Sequence, residues 1–184
     1  MKVLVFDTET SGLPTEKNAS IYKTNVWPHI VQLSYIVYDS EHNELVGLED
    51  DYINIPNTVI MDPGSVKIHN ITSEQMRNGI PIVEALEKFN KHADKVDLII
   101  AHNVSFDKRM IMVEGIRNKI KMNIADTYCT MKNSINLCKI ERSWPNGDKY
   151  FKYPKLSELY VYLFNIEPKN THNALVDILI CMRC

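Results

Sequence analysis

Apolar residues run unbroken from Val3 to Phe6 between Lys2 and Asp7, and so short a run predicts a strand covered on both faces. Ile30 to Tyr38 is rich in β-branched and aromatic residues, Asp39-Ser40-Glu41-His42-Asn43 reads as a turn, and Glu44 to Ile53 reads as a returning strand. A meander is expected there. Beyond it the period lengthens. Thr72 with Gln75 makes a capping box for a short helix, and Ile82, Leu86, Phe89 and Ala93 then recur at helical spacing. Asp97 to Ala101 reads as a second buried strand. Phe106, Met110, Val113, Ile116 and Ile120 mark the apolar stripe of a following helix, which leaves Asp107, Ile111 and Glu114 facing elsewhere. An extended piece over Ile124 to Thr127 precedes a helix expected to carry Tyr128, Met131, Ile135 and Cys138. Leu156 to Phe164 and Asn173 to Met182 read as the last two helices, and Pro14 to Pro28, Asn54 to Ile71 and Glu141 to Pro154 are left as long connections.

Strands first, then strand and helix in alternation, predict an α/β layer architecture with a mixed sheet. The 184 residues are 45% hydrophobic and 24% charged, the range of one globular domain spanning 1–184. With only 6 Gly and 8 Pro, neither a collagen-like nor a low-complexity composition is tenable. The longest apolar runs fall far short of the roughly 20 residues that cross a bilayer. The N-terminus has an acid too early for a secretory signal, so a soluble intracellular protein with no membrane partner is expected. Residues 1–100 hold 8 Lys/Arg against 15 Asp/Glu, net −7, and residues 101–184 hold 13 against 8, net +5. Such an asymmetry suits a chain that gathers carboxylates in one place and meets a polyanion in another, although solvated surface charge is the plainer account. Of the cysteines, Cys181 and Cys184 form a C-x-x-C, but Cys129 and Cys138 lack matching spacing. A buried small hydrophobe suits Cys181 better than a zinc ligand.

In open α/β sheets ligands collect beyond the carboxyl ends of the strands. Asp7 and Glu9 leave the first strand at that edge, and His102, Asn103 and Asp107 follow the later strand at the same edge if the two run parallel. Two residues apart on extended backbone, Asp7 and Glu9 point to one face, so their carboxylates converge. Like charges beside an apolar strand repel and lose hydration, and a divalent cation is the simplest remedy. Asp107 alone would read as a first-turn acid favoured by the helix dipole. Asp177 lies within the apolar stretch Ala174 to Cys181, where an unpaired charge is out of place. His172 precedes it by five positions, with Thr171 or Asn173 able to cap the helix.

Three phrases now stand in order: Phe6-Asp7-Thr8-Glu9-Thr10-Ser11-Gly12-Leu13, Ala101-His102-Asn103-Val104-Ser105-Phe106-Asp107, and His172-Asn173-Ala174-Leu175-Val176-Asp177. Together they resemble the exonuclease motifs of the DEDDh, or DnaQ-like, superfamily, and Ile30-Val31-Gln32-Leu33 and Val66-Lys67-Ile68-His69-Asn70-Ile71 resemble its second strand and following loop. The resemblance implies a ribonuclease H-like fold: a mixed five-stranded sheet, a three-stranded meander plus parallel strands, flanked by helices. It also implies hydrolysis of phosphodiester bonds from a 3′ end with two divalent ions, Mg²⁺ or Mn²⁺. Asp7, Glu9 and Asp177 would hold one ion and Asp7 with Asp107 the second. His172, histidine and not tyrosine, would be the general base, since an imidazole titrating near about 6.5 accepts a proton at neutral pH. Thr10 and Leu13 would meet the terminal nucleotide, with His102, Asn103 and Phe106 also lining its path. For Leu13 the plainer account is a residue closing the turn onto the core.

The expected substrate is the 3′ end of single-stranded or frayed DNA. An exoribonuclease of the oligoribonuclease or RNase T kind is the alternative enzyme, and a catalytically silent nucleic-acid-binding module is the alternative from another class. A chain this size leaves no room for a polymerase, so proofreading would need a polymerase as a separate partner. Tyr150-Phe151-Lys152-Tyr153-Pro154-Lys155 interleaves aromatics with lysines, a pattern suited to stacking on bases and meeting phosphates. Its plainer account is a loop whose aromatics pack under the helix that begins at Leu156.

Overall fold

The computed structural model describes residues 1–124 and 126–184. In chain order the elements are β1 (Lys2–Thr10), β2 (Ile30–Asp39), β3 (Glu44–Tyr52), α1 (Pro63–His69), α2 (Ser73–Arg77), α3 (Ile82–Ala93), β4 (Leu98–Ala101) and α4 (Val104–Arg117). There follow β5 (Thr127–Cys129), α5 (Thr130–Asn133), α6 (Ile135–Cys138), β6 (Glu141–Ser143), β7 (Lys149–Phe151), α7 (Leu156–Phe164) and α8 (Ala174–Arg183). The main sheet has the order β3-β2-β1-β4-β5, antiparallel from β3 to β1 and parallel from β1 to β5. This is the mixed sheet that the meander and the later strands lead one to expect, and the ribonuclease H-like arrangement that the motif resemblance implies.

Both faces of the sheet are covered, and the period-2 alternation along β1 assigns its residues to them. Leu4 and Phe6 join Leu33, Tyr35, Ile99 and the buried stripe of α3 and α4 in the larger core. Phe89 is its hub, edge-on to Phe6 at 5.3 Å and to Tyr35 at 5.5 Å between ring centres. Val5 and Ile36 face the other way, against Ile178 and Cys181 of α8. Cys181 is thus the small core hydrophobe expected, and all four cysteines are free thiols.

Several expectations need correction. Asp107, Ile111 and Glu114 do not face away from the core; all three are buried. The helix is enclosed on two sides, because the loop before β2 folds over it and is held there by polar groups. Glu114 accepts from the Ile30 amide at 3.2 Å and from Arg117 at 2.8 Å, and Arg117 also donates to the carbonyls of Thr24, Trp27 and Pro28. The helix stops at Arg117, before Ile120: Lys119 turns left-handed at φ 58°, and the Ile120 amide bonds back to the Gly115 carbonyl at 2.8 Å. A Cβ on Gly115 would lie 2.5 Å from Cγ of Met122, so this tight return requires glycine.

Of the expected extended piece Ile124 to Thr127, residue 125 lies outside the described residues, and the strand begins at Thr127. Tyr128 belongs to that strand and not to a helix. Its edge pairing with β4 outweighs helical spacing, and the helix that follows is broken into α5 and α6 at Ser134, whose hydroxyl bonds the Thr130 carbonyl at 2.7 Å. All three long connections carry regular structure, Pro14 to Pro28 a single 3-10 turn at Thr24–Val26. Asn54 to Ile71 contains α1, capped by Asp62 with Pro63 at its first turn, and Glu141 to Pro154 contains the β6-β7 hairpin. The capping box of α2 is present as expected, Thr72 bonding the Gln75 amide and the Gln75 side chain the Thr72 amide.

Candidate active site

β1 remains extended through Thr10, four residues beyond the apolar run. Asp7 and Glu9 therefore continue the row of Val5 and face α8, and the antiparallel register sets Asp7 opposite Ser34 and Glu9 opposite Gln32. Gln32 is fully buried and ties the layers together. Its Nε2 donates to Asp50 at 2.8 Å, and its Oε1 accepts the Ala174 amide, the first residue of α8, at 3.3 Å. Asn173 caps the same helix by accepting from the Val176 amide. So fixed, α8 lays Asp177 over β1, and one oxygen each of Asp7, Glu9 and Asp177 lies within 4.8 Å of the others.

Burial and mutual repulsion raise the proton affinity of all these carboxyls. Asp7 is pushed well above the ordinary range, first by burial and then by the charges of Asp107, Asp177 and Glu9. Glu9 is pushed to about 8 by burial and by the charges of Asp177 and Asp107. Asp177 is raised by burial, opposed by the His172 amide, which donates to its Oδ2 at 3.1 Å. The other oxygen of Asp177 is buried without a hydrogen-bond partner. Among the described residues no lysine or arginine forms an ion pair with Asp7, Glu9, Asp107 or Asp177. An oxygen-only donor set with crowded negative charge and an orphaned oxygen fits a hard divalent cation such as Mg²⁺ or Mn²⁺.

Asp107 reaches the same strand end from the opposite side. It occupies the first turn of α4, and its Oδ1 accepts from the Thr8 hydroxyl at 2.7 Å and the Thr8 amide at 3.2 Å. Burial raises its carboxyl to about 7, with those two bonds pulling the other way. The fourth acid is thus beside the trio and bears on Asp7 electrostatically, but a neighbouring side chain already engages it.

A cavity of about 480 Å³ opens over Asp7 and Asp177 and is lined also by His102, Asn103, Tyr153, Lys155 and His172. His172 is exposed and has a left-handed backbone, φ 67°, immediately before the cap of α8. A non-glycine residue there is strained, which is characteristic of functional positions. Asn103 enters α4 in the same way at φ 70°, a conformation asparagine tolerates. His102 is committed inside the protein: its Nδ1 meets the Thr130 hydroxyl at 2.9 Å, and its Nε2 donates to the Pro154 carbonyl at 3.1 Å. Burial lowers the affinity of that ring for a proton, opposed by its bond to the Pro154 carbonyl, and the ring braces the end of β4 against the segment before α7.

A second cavity, about 380 Å³, adjoins through Asn103 and is lined by Leu13, Phe106 and Arg109. Leu13 does not close onto the core. It is 75% exposed, on a turn held by bonds between Ser11 and His29 and between Asp62 and Ser11, while the Thr10 hydroxyl is spent on the Gly12 carbonyl. Sequence reading missed the supporting residues Thr8, Gln32, Thr130 and the Glu114–Arg117 pair. The available signal was a polar residue at a position that periodicity assigns to the core, which Gln32 between Val31 and Leu33 provides.

The sequence model of a family described as RNase_T, exonuclease, matches residues 4–184. The chain is 28% identical over 176 residues to DNA polymerase III subunit epsilon of Buchnera aphidicola, covering 95% of this chain and 65% of that protein. It is 26% identical over 166 residues to the PolC-type DNA polymerase III of Mycoplasmopsis pulmonis, covering 80% of this chain and 11% of that one. Among solved structures, E. coli exonuclease I in complex with a dT13 oligonucleotide superposes with a TM-score of 0.71 at 19% identity, over 99% of this chain and 39% of that one. The zinc-bound form of the same nuclease with single-stranded DNA gives 0.72 at 20% identity, over the same shares. The chain thus spans only part of each of these proteins, from about a tenth to about two-thirds.

Proposed function

This chain belongs to the RNase_T exonuclease family of the DnaQ-like superfamily, and from that premise we propose that residues 1–184 form one metal-dependent 3′-5′ exonuclease domain of the DEDDh type. The observation that carries the reading is the approach of Asp7, Glu9 and Asp177 to within 4.8 Å with no lysine or arginine, among the described residues, in an ion pair with them. Asp7, Glu9 and Asp177 would hold one divalent ion, and Asp7 with Asp107 a second. Bound there, a pair of Mg²⁺ or Mn²⁺ ions would supply the charge that stabilises the attacking and leaving oxygens of phosphodiester hydrolysis.

The chain's own residues supply the rest. His172, exposed where it lines the cavity, accepts the proton of the attacking water as general base. The backbone near Thr10 meets the terminal 3′-hydroxyl, and the projecting Leu13 wedges beside the last base. Asn103 and Phe106 line the adjoining cavity, while His102 acts through the Pro154 carbonyl it holds.

Single-stranded or frayed DNA is the favoured substrate, because the relatives matched are DNA polymerase III components and a nuclease crystallised on a DNA oligonucleotide. Those relatives also support a polymerase as partner. The family's name favours RNA as the second reading, which a matched RNA strand tests. Digestion of 5′-labelled single-stranded DNA and RNA with Mg²⁺ or Mn²⁺ should give a shortening ladder, lost in Asp7→Ala and with chelator. Cleavage that persists in either control overturns the mechanism, and tight binding with no cleavage under either metal favours a silent binding module.

A further inference from the structure

The β6-β7 hairpin lies outside the five-stranded sheet and ends at the wall of the catalytic cavity. The segment 139–155 carries five Lys/Arg against two acids, and its aromatics Trp144, Phe151 and Tyr153 are each about half exposed, at 55%, 44% and 54%. They do not pack under α7, as the plainer account of the sequence would have it. The hairpin is too short to bury them: each strand is three residues, with Arg142 opposite Tyr150 and Ser143 opposite Lys149. Trp144 stacks on Tyr150, ring centres 4.4 Å apart and planes 26° from parallel, so one large flat surface is pre-formed.

Two of the cations are already spent. Lys152 is held by both oxygens of Glu158 at 2.6 Å, and Lys149 pairs with Glu141. Arg142 and Lys155 are exposed, and among the described residues neither is in an ion pair. The hairpin's attachment is rigid on the side of the active site. His102 donates to the Pro154 carbonyl, and Tyr153 and Lys155 line the same cavity as Asp7, His172 and Asp177.

Exposed π-faces alternating with unpaired cations, continuous with a phosphodiester-cleaving cavity, match a strand of unpaired bases and not a duplex, whose bases are stacked on each other. Resting on the exonuclease reading, we propose that the β6-β7 hairpin is a single-strand docking platform. In it Trp144, backed by Tyr150 on the hairpin face that carries Arg142, and Tyr153 at the cavity wall stack on bases 5′ to the scissile bond, and Arg142 and Lys155 meet their phosphates. The platform makes single-stranded DNA longer than a dinucleotide the preferred substrate class.

Fluorescence anisotropy with dye-labelled oligothymidylate of about twelve nucleotides, in chelator so that no cleavage intervenes, reads binding directly. Removing one stacking ring, in Tyr153→Ala or Trp144→Ala, should weaken the dissociation constant roughly fivefold or more, and the double variant more than either. Arg142→Gln should lower the salt dependence of binding by about one phosphate contact. A duplex of equal length should bind equally to wild type and variants. With Mg²⁺, the loss in kcat/KM should appear in KM for the long strand and exceed that for a dinucleotide. Unchanged affinity in the double variant, or equal losses for strand, duplex and dinucleotide, overturns the platform. Failure of the exonuclease reading would look different: no cleavage of any strand by wild type, with the anisotropy result untouched. A matched RNA strand in the same assay shows whether the platform distinguishes the two sugars.

Discussion

Glu9→Gln tests whether the carboxylate cluster is a destabilised arrangement awaiting a cation. In the folded protein burial and the charges of Asp177 and Asp107 raise the Glu9 carboxyl to about 8, against about 4.3 in an unfolded chain. Below the lower value both states are protonated and nothing is lost. As pH rises between the two values the unfolded chain releases the proton first, so the folded state loses stability until about 8. Each pH unit in that window costs about 1.4 kcal/mol, so from about pH 5 to about pH 7 the cost grows by about 3 kcal/mol. Glutamine keeps the shape and never ionises. In chelator the variant should therefore gain on wild type across this range, widening the difference in melting temperature by about 6–12 °C at about 2–4 °C per kcal/mol for a chain of this size. Manganese should narrow that difference. At about a hundredfold excess over its dissociation constant it stabilises wild type by about 2.7 kcal/mol, and a variant with one ligand fewer by less. Thermal unfolding followed by circular dichroism, with and without Mn²⁺, reads all of this. A melting difference independent of pH, or a variant less stable than wild type at neutral pH in chelator, refutes the reasoning.

Other substitutions separate chemistry from scaffold. His172→Asn accepts the left-handed backbone that the position imposes, so it should unfold at the wild-type temperature yet lose about 10²- to 10⁴-fold in kcat. Thr8→Val removes the hydroxyl that holds Asp107 at 2.7 Å; it should cost about 1–3 kcal/mol in chemical denaturation and lower kcat more than it raises KM. Leu13→Ala, at an exposed turn, should change stability by less than about 0.5 kcal/mol while slowing digestion of frayed duplex ends more than of single strands. Phe89→Ala, which empties the centre of the larger core, should cost about 3–5 kcal/mol, read as a lower midpoint in urea.

What the amino-acid order determined by itself was local. Alternation along extended backbone put Asp7 and Glu9 on one face, the apolar spacing of Ile82 to Ala93 made a helix, and Thr171 or Asn173 marked the entry to α8, which the structure caps with Asn173. Each of these depends on neighbours within a turn or a strand, and periodicity reads them directly. Asp7, Glu9 and Asp177 were legible as acids in need of a partner, because an acid ending a buried strand or interrupting an apolar helix is costly without one, whereas Asp107 stood out only through the motif resemblance.

Tertiary structure alone decided the rest. Asp177 meets Asp7 because a buried glutamine on β2 accepts the amide of a residue 142 positions away, and no local pattern encodes that pairing. The second buried side of α4 arises because the 24–30 loop folds back onto Glu114 and Arg117, so a helix read as one-sided is enclosed on two. Leu13 projects and Tyr128 extends for the same reason: contacts between distant segments, each contributing more than about 0.5 kcal/mol, override preferences of smaller size. The chain's order thus names the groups that carry charge and the faces they lie on, and long-range packing sets the distance at which those charges repel.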